Sequence, residues 1–166
     1  MLKTSLFALT ILTFAPTAAA WAAPPPPDTA RPAQPLADEA ARTAVAACAG
    51  KGFKTTATVV DAEGEPVAVQ SANGDDAAKQ ASLSKAVTSA EYHTASSDVA
   101  TRAGTDAILA PAIRDDPKIR VARPGAVPLG VSDQPVGAIG VAGAPDGFKD
   151  EACAQAGANK VASRLR

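Results

Sequence analysis

The side chains with chemical reach are few in this sequence. His93 is the only histidine, so it is the only ordinary nitrogen ligand the chain could offer a metal and the only imidazole that could act as a base near neutral pH. Tyr92 and Thr94 flank it and add two oxygens. The structural alternative is a helix-end histidine that faces water or bonds a backbone carbonyl. Ser82, Ser84, Ser96 and Ser97 invite a serine and histidine hydrolase, but no nucleophile elbow is present and closeness in sequence is not a triad. The acids Asp61, Glu63 and Glu65 lack the ligand order of a calcium loop and read as a solvated turn.

Cys48 and Cys153 are the only cysteines, and the start of the chain says which compartment they meet. Met1 to Ala22 has the three parts of an export signal: Lys3 near the start, an apolar run from Leu6 to Phe14, and Ala20-Trp21-Ala22 as a small-x-small cleavage site. The expectation is a periplasmic or secreted chain that begins at Ala23. The apolar run falls short of the ~20 residues that span a bilayer, so no membrane insertion is expected after cleavage. Disulfides persist outside the cytosol. The two cysteines either pair or stay as buried thiols that never meet; pairing would stabilise the fold by up to about 4 to 5 kcal/mol in the chain-entropy model. Lysine and arginine number 16 against 17 acids, a net charge of −1. Basic residues are scattered singly or in pairs such as Arg120 and Arg123, which speaks against a nucleic-acid partner.

The elements that must hold these groups follow from the patterning. Residues 23–36 are rich in proline and alanine and read as an extended tether, leaving 37–166 as a single domain. Asp38 is a possible N-cap for a helix that buries Ala41, Ala44, Val45 and Cys48 and stops at Gly50. Thr56 to Asp61 and Pro66 to Gln70 form a hairpin about Ala62-Glu63-Gly64-Glu65. After Asn73-Gly74, Asp75 or Asp76 caps a helix reaching about Glu91, with a face of alanine and serine on which Lys85 also sits. Tyr92-His93-Thr94 ends it, and Ala95 to Ala103 forms a shorter helix. Residues 104–117 carry no clear pattern. Ile119 to Ala122 reads as a strand, and a last helix opens at Asp146 or Gly147 and runs to about Leu165. This order gives an α+β domain with an antiparallel sheet.

Residues 125–143 read as a second hairpin, with two apolar runs about the polar turn Ser132-Asp133-Gln134. In its second strand Ile139 and Val141 point to one side, and Ala138, Gly140 and Ala142 to the other. A strand face stripped of bulk marks the close approach of a helix, another backbone or a flat ligand. The alanine and serine face of residues 76–91 is the natural partner. Gly137, Gly140 and Gly143 are spaced G-x-x-G-x-x-G with Pro145 after them, which excludes a dinucleotide fingerprint, and Gly50-Lys51-Gly52 lacks the hydroxyl residue of a Walker motif.

Val136-Gly137-Ala138-Ile139-Gly140-Val141-Ala142-Gly143 resembles the V-G-A-I-G-V-S-G stretch of the GlcG/HbpS-like proteins, several of which are called haem-binding. Val59-Val60-Asp61 with Gly64, Lys85-Ala86-Val87-Thr88-Ser89-Ala90, Gly125-Ala126-Val127-Pro128 and Asp150-Glu151-Ala152-Cys153-Ala154 match further family motifs, and the likeness covers nearly all of residues 37–161. It implies a profilin-like or PAS-like five-stranded sheet flanked by helices, homo-oligomers, and binding of haem or a related small molecule. His93 is then the candidate iron ligand, Tyr92 and Thr94 supply neighbouring oxygens, and Lys85 at a pocket rim would pair a haem propionate, the plainer reading being a solvated lysine. The chain departs from the family where Ser71 and Ala72 replace an arginine that could anchor a carboxylate, where Ala126 replaces a glycine, and where His93 replaces a proline. Only Phe53, Tyr92 and Phe148 are aromatic after residue 22, so any haem site is thinly walled. The expected function is therefore binding, for haem storage, sensing or delivery, without catalysis. The alternatives are an oligomeric interaction protein that takes no haem and, further off, a hydrolase.

Overall fold

The computed structural model describes residues 31–72, 75–119, 121–131 and 134–165. The export signal at 1–22, the tether up to residue 30, the Asn73-Gly74 turn and the Ser132-Asp133 turn lie outside the described residues. Along the chain run α1 (Gln34–Ala49), β1 (Thr56–Asp61), β2 (Pro66–Ser71), α2 (Asp76–Tyr92), α3 (Ser96–Ala103), α4 (Leu109–Asp115), β3 (Ala126–Val131), β4 (Gln134–Ala142) and α5 (Gly147–Val161), with a short 3-10 turn at Ala162–Arg164.

Four antiparallel strands form one sheet in the order β2-β1-β4-β3. The central pair sets Thr58 opposite Gly140 and Val59 opposite Ile139. Every residue of β1 is buried, as a strand covered on both faces must be. On one face Val59, Ile139 and Val141 join Ala40, Ala44 and Cys48 of α1 and Ala154 and Val161 of α5 in the larger core. On the other, Val60 and Ala138 pack with Ala86, Val87 and Ala90 of α2 and with Leu109 and Ile113 of α4. Pro128 is tolerated because β3 is an edge strand, and Pro135 because β4 pairs with β1 only from Gly137 onward.

The fifth strand expected at Ile119 to Ala122 is absent from the described residues; Ile119 lies in a turn, and residues 121–124 are bent or irregular, with Arg120 outside the described set. Asp116 explains the difference. Its Oδ1 accepts from the Lys118 and Ile119 amides at 2.7 and 3.2 Å, and the Val121 amide donates to the Ile119 carbonyl at 2.7 Å, so these backbone groups are satisfied locally. The Ile119 side chain is still buried, as a plug against α2 and α4. Helix α1 also begins earlier than Asp38, taking in residues 34–36 that composition assigned to the tether. Pro35 sits in its first turn, where a missing amide costs nothing, and the Leu36 and Ala37 amides both donate to the Ala33 carbonyl. Asp75 and Asp146 do cap α2 and α5, accepting from the Ala77 and Lys149 amides. Cys48 and Cys153 form a disulfide that ties α1 to α5, with their Cα atoms 5.6 Å apart.

The stripped face of β4 lies against α2. A Cβ on Gly140 would collide with the Ser82 carbonyl oxygen and sit 2.6 Å from the Ala86 amide nitrogen, both backbone atoms that cannot swing away. Gly50 is the contrast, with φ −59° and nothing nearer than 3.6 Å to an added Cβ. Gly140→Ala should therefore cost about 1 to 3 kcal/mol or more, read as a lower urea midpoint. Gly50→Ala should raise stability by up to about 1 kcal/mol. Equal effects of the two substitutions would refute the close α2–β4 approach.

Candidate functional site

The residues singled out for chemistry are dispersed along α2 and from its C-cap into α3. Lys85 is neither solvated nor at liberty: it is 8% exposed, and its Nζ donates to Asp150 Oδ2 at 2.7 Å and to the Val141 carbonyl at 3.0 Å. Asp150, 3% exposed, also accepts from the Ala144 amide at 2.9 Å through Oδ1. Burial pushes the Asp150 carboxyl above its ordinary range, while the Lys85 and Ala144 hydrogen bonds pull it part of the way back. The pair thus joins the middle of α2 to the first turn of α5 across the end of β4. Asp150 opens the Asp150-Glu151-Ala152-Cys153-Ala154 motif. Its signal was its position on the buried stripe with Cys153, Ala154, Gly157 and Val161; an acid there needs a buried cation, and Lys85 is the one charge on the buried stripe of α2.

Tyr92, His93 and Thr94 end α2 away from Lys85. His93 is the C-cap, in the left-handed conformation at φ 52°, the only non-glycine residue with positive φ among those described, and it is exposed. Histidine tolerates this conformation better than most side chains. The Thr94 hydroxyl donates to Asp98 Oδ2 at 3.1 Å, and the Thr94 carbonyl accepts from Ser89 Oγ at 2.7 Å. Burial, with the Glu91 and Asp116 carboxylates nearby, pushes the Tyr92 phenol up, so it stays protonated at neutral pH. The serines are engaged elsewhere: Ser82 with Thr58 and the Lys79 carbonyl, Ser84 with the Ile119 carbonyl, Ser96 with the Ala126 amide and Ser97 with Glu151.

The acids of the first hairpin turn are not simply solvated. Asp61 is buried and its Oδ1 accepts from the Glu65 amide at 2.8 Å, which pins the turn. Glu65 pairs with Lys118 at 2.8 Å, and the lysine holds its carboxyl below the ordinary range. No group of three or more metal-ligating side chains occurs among the described residues.

A groove of about 700 Å³ runs along the outer side of α2, between that helix, the first hairpin turn and residues 117–119. Pro66, Ala81, Leu83, Val87 and Ile119 give it apolar walls, and the Glu65–Lys118 pair stands at its edge. Its size falls within the roughly 300–1,000 Å³ of small-molecule sites. Two hollows of about 210 and 460 Å³ continue it toward Lys85 and Arg123, and a third of about 250 Å³ reaches Glu91. Neither the groove nor these hollows is lined by Tyr92, His93 or Thr94.

A family model described as haem degrading protein HbpS-like matches residues 34–159. Among solved structures, a double mutant of HbpS from Streptomyces reticuli is similar at a TM-score of 0.75 and 30% identity, over 87% of this chain and 98% of that one. A further HbpS structure gives 0.72 and 31%, over 79% and 90%. A PduOC–haem complex gives 0.61 at 18% identity, over 73% and 88%, a likeness of fold alone. No curated protein matches the chain in sequence.

Opening the buried pair from one side should be costly. Lys85→Met leaves a carboxylate in the core and should lose about 3 to 5 kcal/mol at pH 7, whereas Lys85→Met with Asp150→Leu should recover most of it. The deficit of the single variant should shrink as pH falls, because the folded state then neutralises Asp150 and binds a proton that the unfolded chain, with its lower carboxyl pKa, holds less tightly. Urea titrations at pH 7 and pH 4.5 measure both; a single variant as stable as the parent would show that the pair carries nothing.

Proposed function

The chain belongs to the HbpS-like family of haem-degrading proteins, and from that premise we propose that it is an exported protein that binds haem, or a related flat small molecule, in the groove along α2. The observation that carries this reading is the groove itself: apolar, of ligand size, and built on a helix packed closely against the sheet. Its role in this reading is haem storage, sensing or delivery, performed as a homo-oligomer in the periplasm or outside the cell. The leader-like Met1 to Ala22 supports export. The Cys48–Cys153 bridge supports an oxidising compartment. Among the described residues no helix is long and apolar enough to cross a membrane.

The lining fits the face of a macrocycle better than it fits iron. Histidine, cysteine, methionine and tyrosine are all missing from the lining of the groove, whereas haem iron is commonly held by one of these. His93, exposed at the end of α2, is the chain's nitrogen donor, so coordination by it places the haem edge at the surface or between two copies. Bound haem would supply the redox chemistry; the chain's own contribution is apolar contact and exclusion of water from one face of the ring.

Titration with hemin at micromolar concentration should produce a shifted Soret band, and Leu83→Glu, which puts a charge in the groove wall, should weaken the binding while His93→Ala leaves it unless iron coordination at the helix end contributes. A flat titration would favour the reading of an oligomeric interaction protein that takes no haem. The family description adds a second reading, in which bound haem is broken down. A Soret band that decays under hydrogen peroxide faster with the protein than without it would favour that reading over simple binding.

A further inference from the structure

We propose that Lys118 is the gate that sets how long a ligand the groove admits. Seated on Glu65, its side chain divides the groove from the hollow of about 250 Å³ beside Glu91. Turned aside, it joins the two into one channel for an elongated, uncharged apolar molecule. This rests on the groove reading above and adds the residue that selects the ligand's length. Gly64, Val87 and Lys118 line both the groove and the hollow, so these three stand at the junction. Two of them are fixed. Gly64 has no side chain to move, and a Cβ built on it would meet the Val87 methyls at 3.4 Å, so the hairpin turn rests directly on α2 there. Val87 is 4% exposed and belongs to the smaller core.

Lys118 is the one of the three that can turn. Its backbone is held, since its amide donates to Asp116 Oδ1 at 2.7 Å and the next residue, Ile119, is buried with its carbonyl bonded by Ser84 Oγ at 2.9 Å. Its side chain is 52% exposed, and among the described residues its ammonium has one hydrogen-bond partner, Glu65 Oε1 at 2.8 Å, on a side chain 62% exposed. An ion pair so open to water is weak. The ammonium therefore leaves Glu65 at small cost while the wall behind it stays in place. Beyond the gate the other ionisable lining residues are Glu63 and Glu91, both acids. Like charges set side by side are unfavourable, so the end of a ligand that passes the gate carries no negative charge.

The test titrates the full chain with two uncharged fluorescent probes of different length, the compact N-phenyl-1-naphthylamine and the rod-like diphenylhexatriene. Lys118→Ala should raise the affinity for the long probe relative to the compact one about tenfold, the gain from burying roughly 55 Å² more apolar surface. Lys51→Ala, just past the end of α1, should leave the ratio as it is. Raising the salt to about 1 M weakens the exposed pair, so the ratio for the parent should move toward that of Lys118→Ala while the ratio for the variant stays put. A lysine that serves only the fold would produce neither change. An unaltered ratio in Lys118→Ala would overturn the gate and leave the groove standing. Should that variant fail to fold, the salt series on the parent decides, and a ratio indifferent to salt overturns the gate. Failure of both probes to bind parent and variant would overturn the groove reading and this inference with it.

Discussion

The distance between α2 and β4 is set by what is missing from it. Gly140, flanked on its face by Ala138 and Ala142, leaves room for the backbone of Ser82 and Ala86 to settle almost directly on the strand. At that separation a lysine one turn along from Ser82 can reach the carbonyl of Val141 on the strand and, just past it, a carboxylate on α5. With a longer side chain on β4 the helix would stand off, and both the Lys85–Asp150 pair and the Thr58–Ser82 hydrogen bond at 2.7 Å would be out of reach. The sheet, its covering helix and the last helix are thus tied by one dimension. Buried charges pairs rarely add net stability over apolar residues of the same shape; here the pair fixes which residue of α2 faces which residue of α5.

That arrangement gives α2 two unlike sides. Its inner side is buried, with the Ser82 and Ala86 backbone directly over Gly140. Its outer side is roofed only in part, by the Asp116 turn and the Ile119 plug, and the gap between roof and helix is the groove. A ligand in that gap would touch a helix that the strand backs closely along its inner side. His93 belongs to neither side. It closes the helix in a left-handed turn and projects to solvent.

Much of this was legible in the sequence because small residues at strand and helix spacing say where backbones meet. The stripped face of residues 136–142, the alanine and serine face of α2, the Asp75 and Asp146 caps and both hairpins were readable in that way. Ile119 misled because an apolar residue near β-formers signals burial without saying how; the Asp116 side chain satisfied the local amides and left no ladder to join. Asp38 misled because proline at the first turn can start a helix without a polar cap. Neither charge of the Lys85–Asp150 pair announces the other by its own position in the sequence. Each lies on a buried stripe, and two misplaced charges of opposite sign on two buried stripes are a contact waiting to be drawn. The groove itself could not be read, since its walls come from three stretches that only the tertiary arrangement brings together.

The bridge between α1 and α5 has a bearing on how the molecule comes into being. Its two cysteines are 105 positions apart, one in the first helix and one in the last. A polypeptide that emerges amino end first presents Cys48 well before Cys153, so the bridge cannot close until the last helix has emerged. Until then Cys48 is without the sulfur it pairs with in the finished fold.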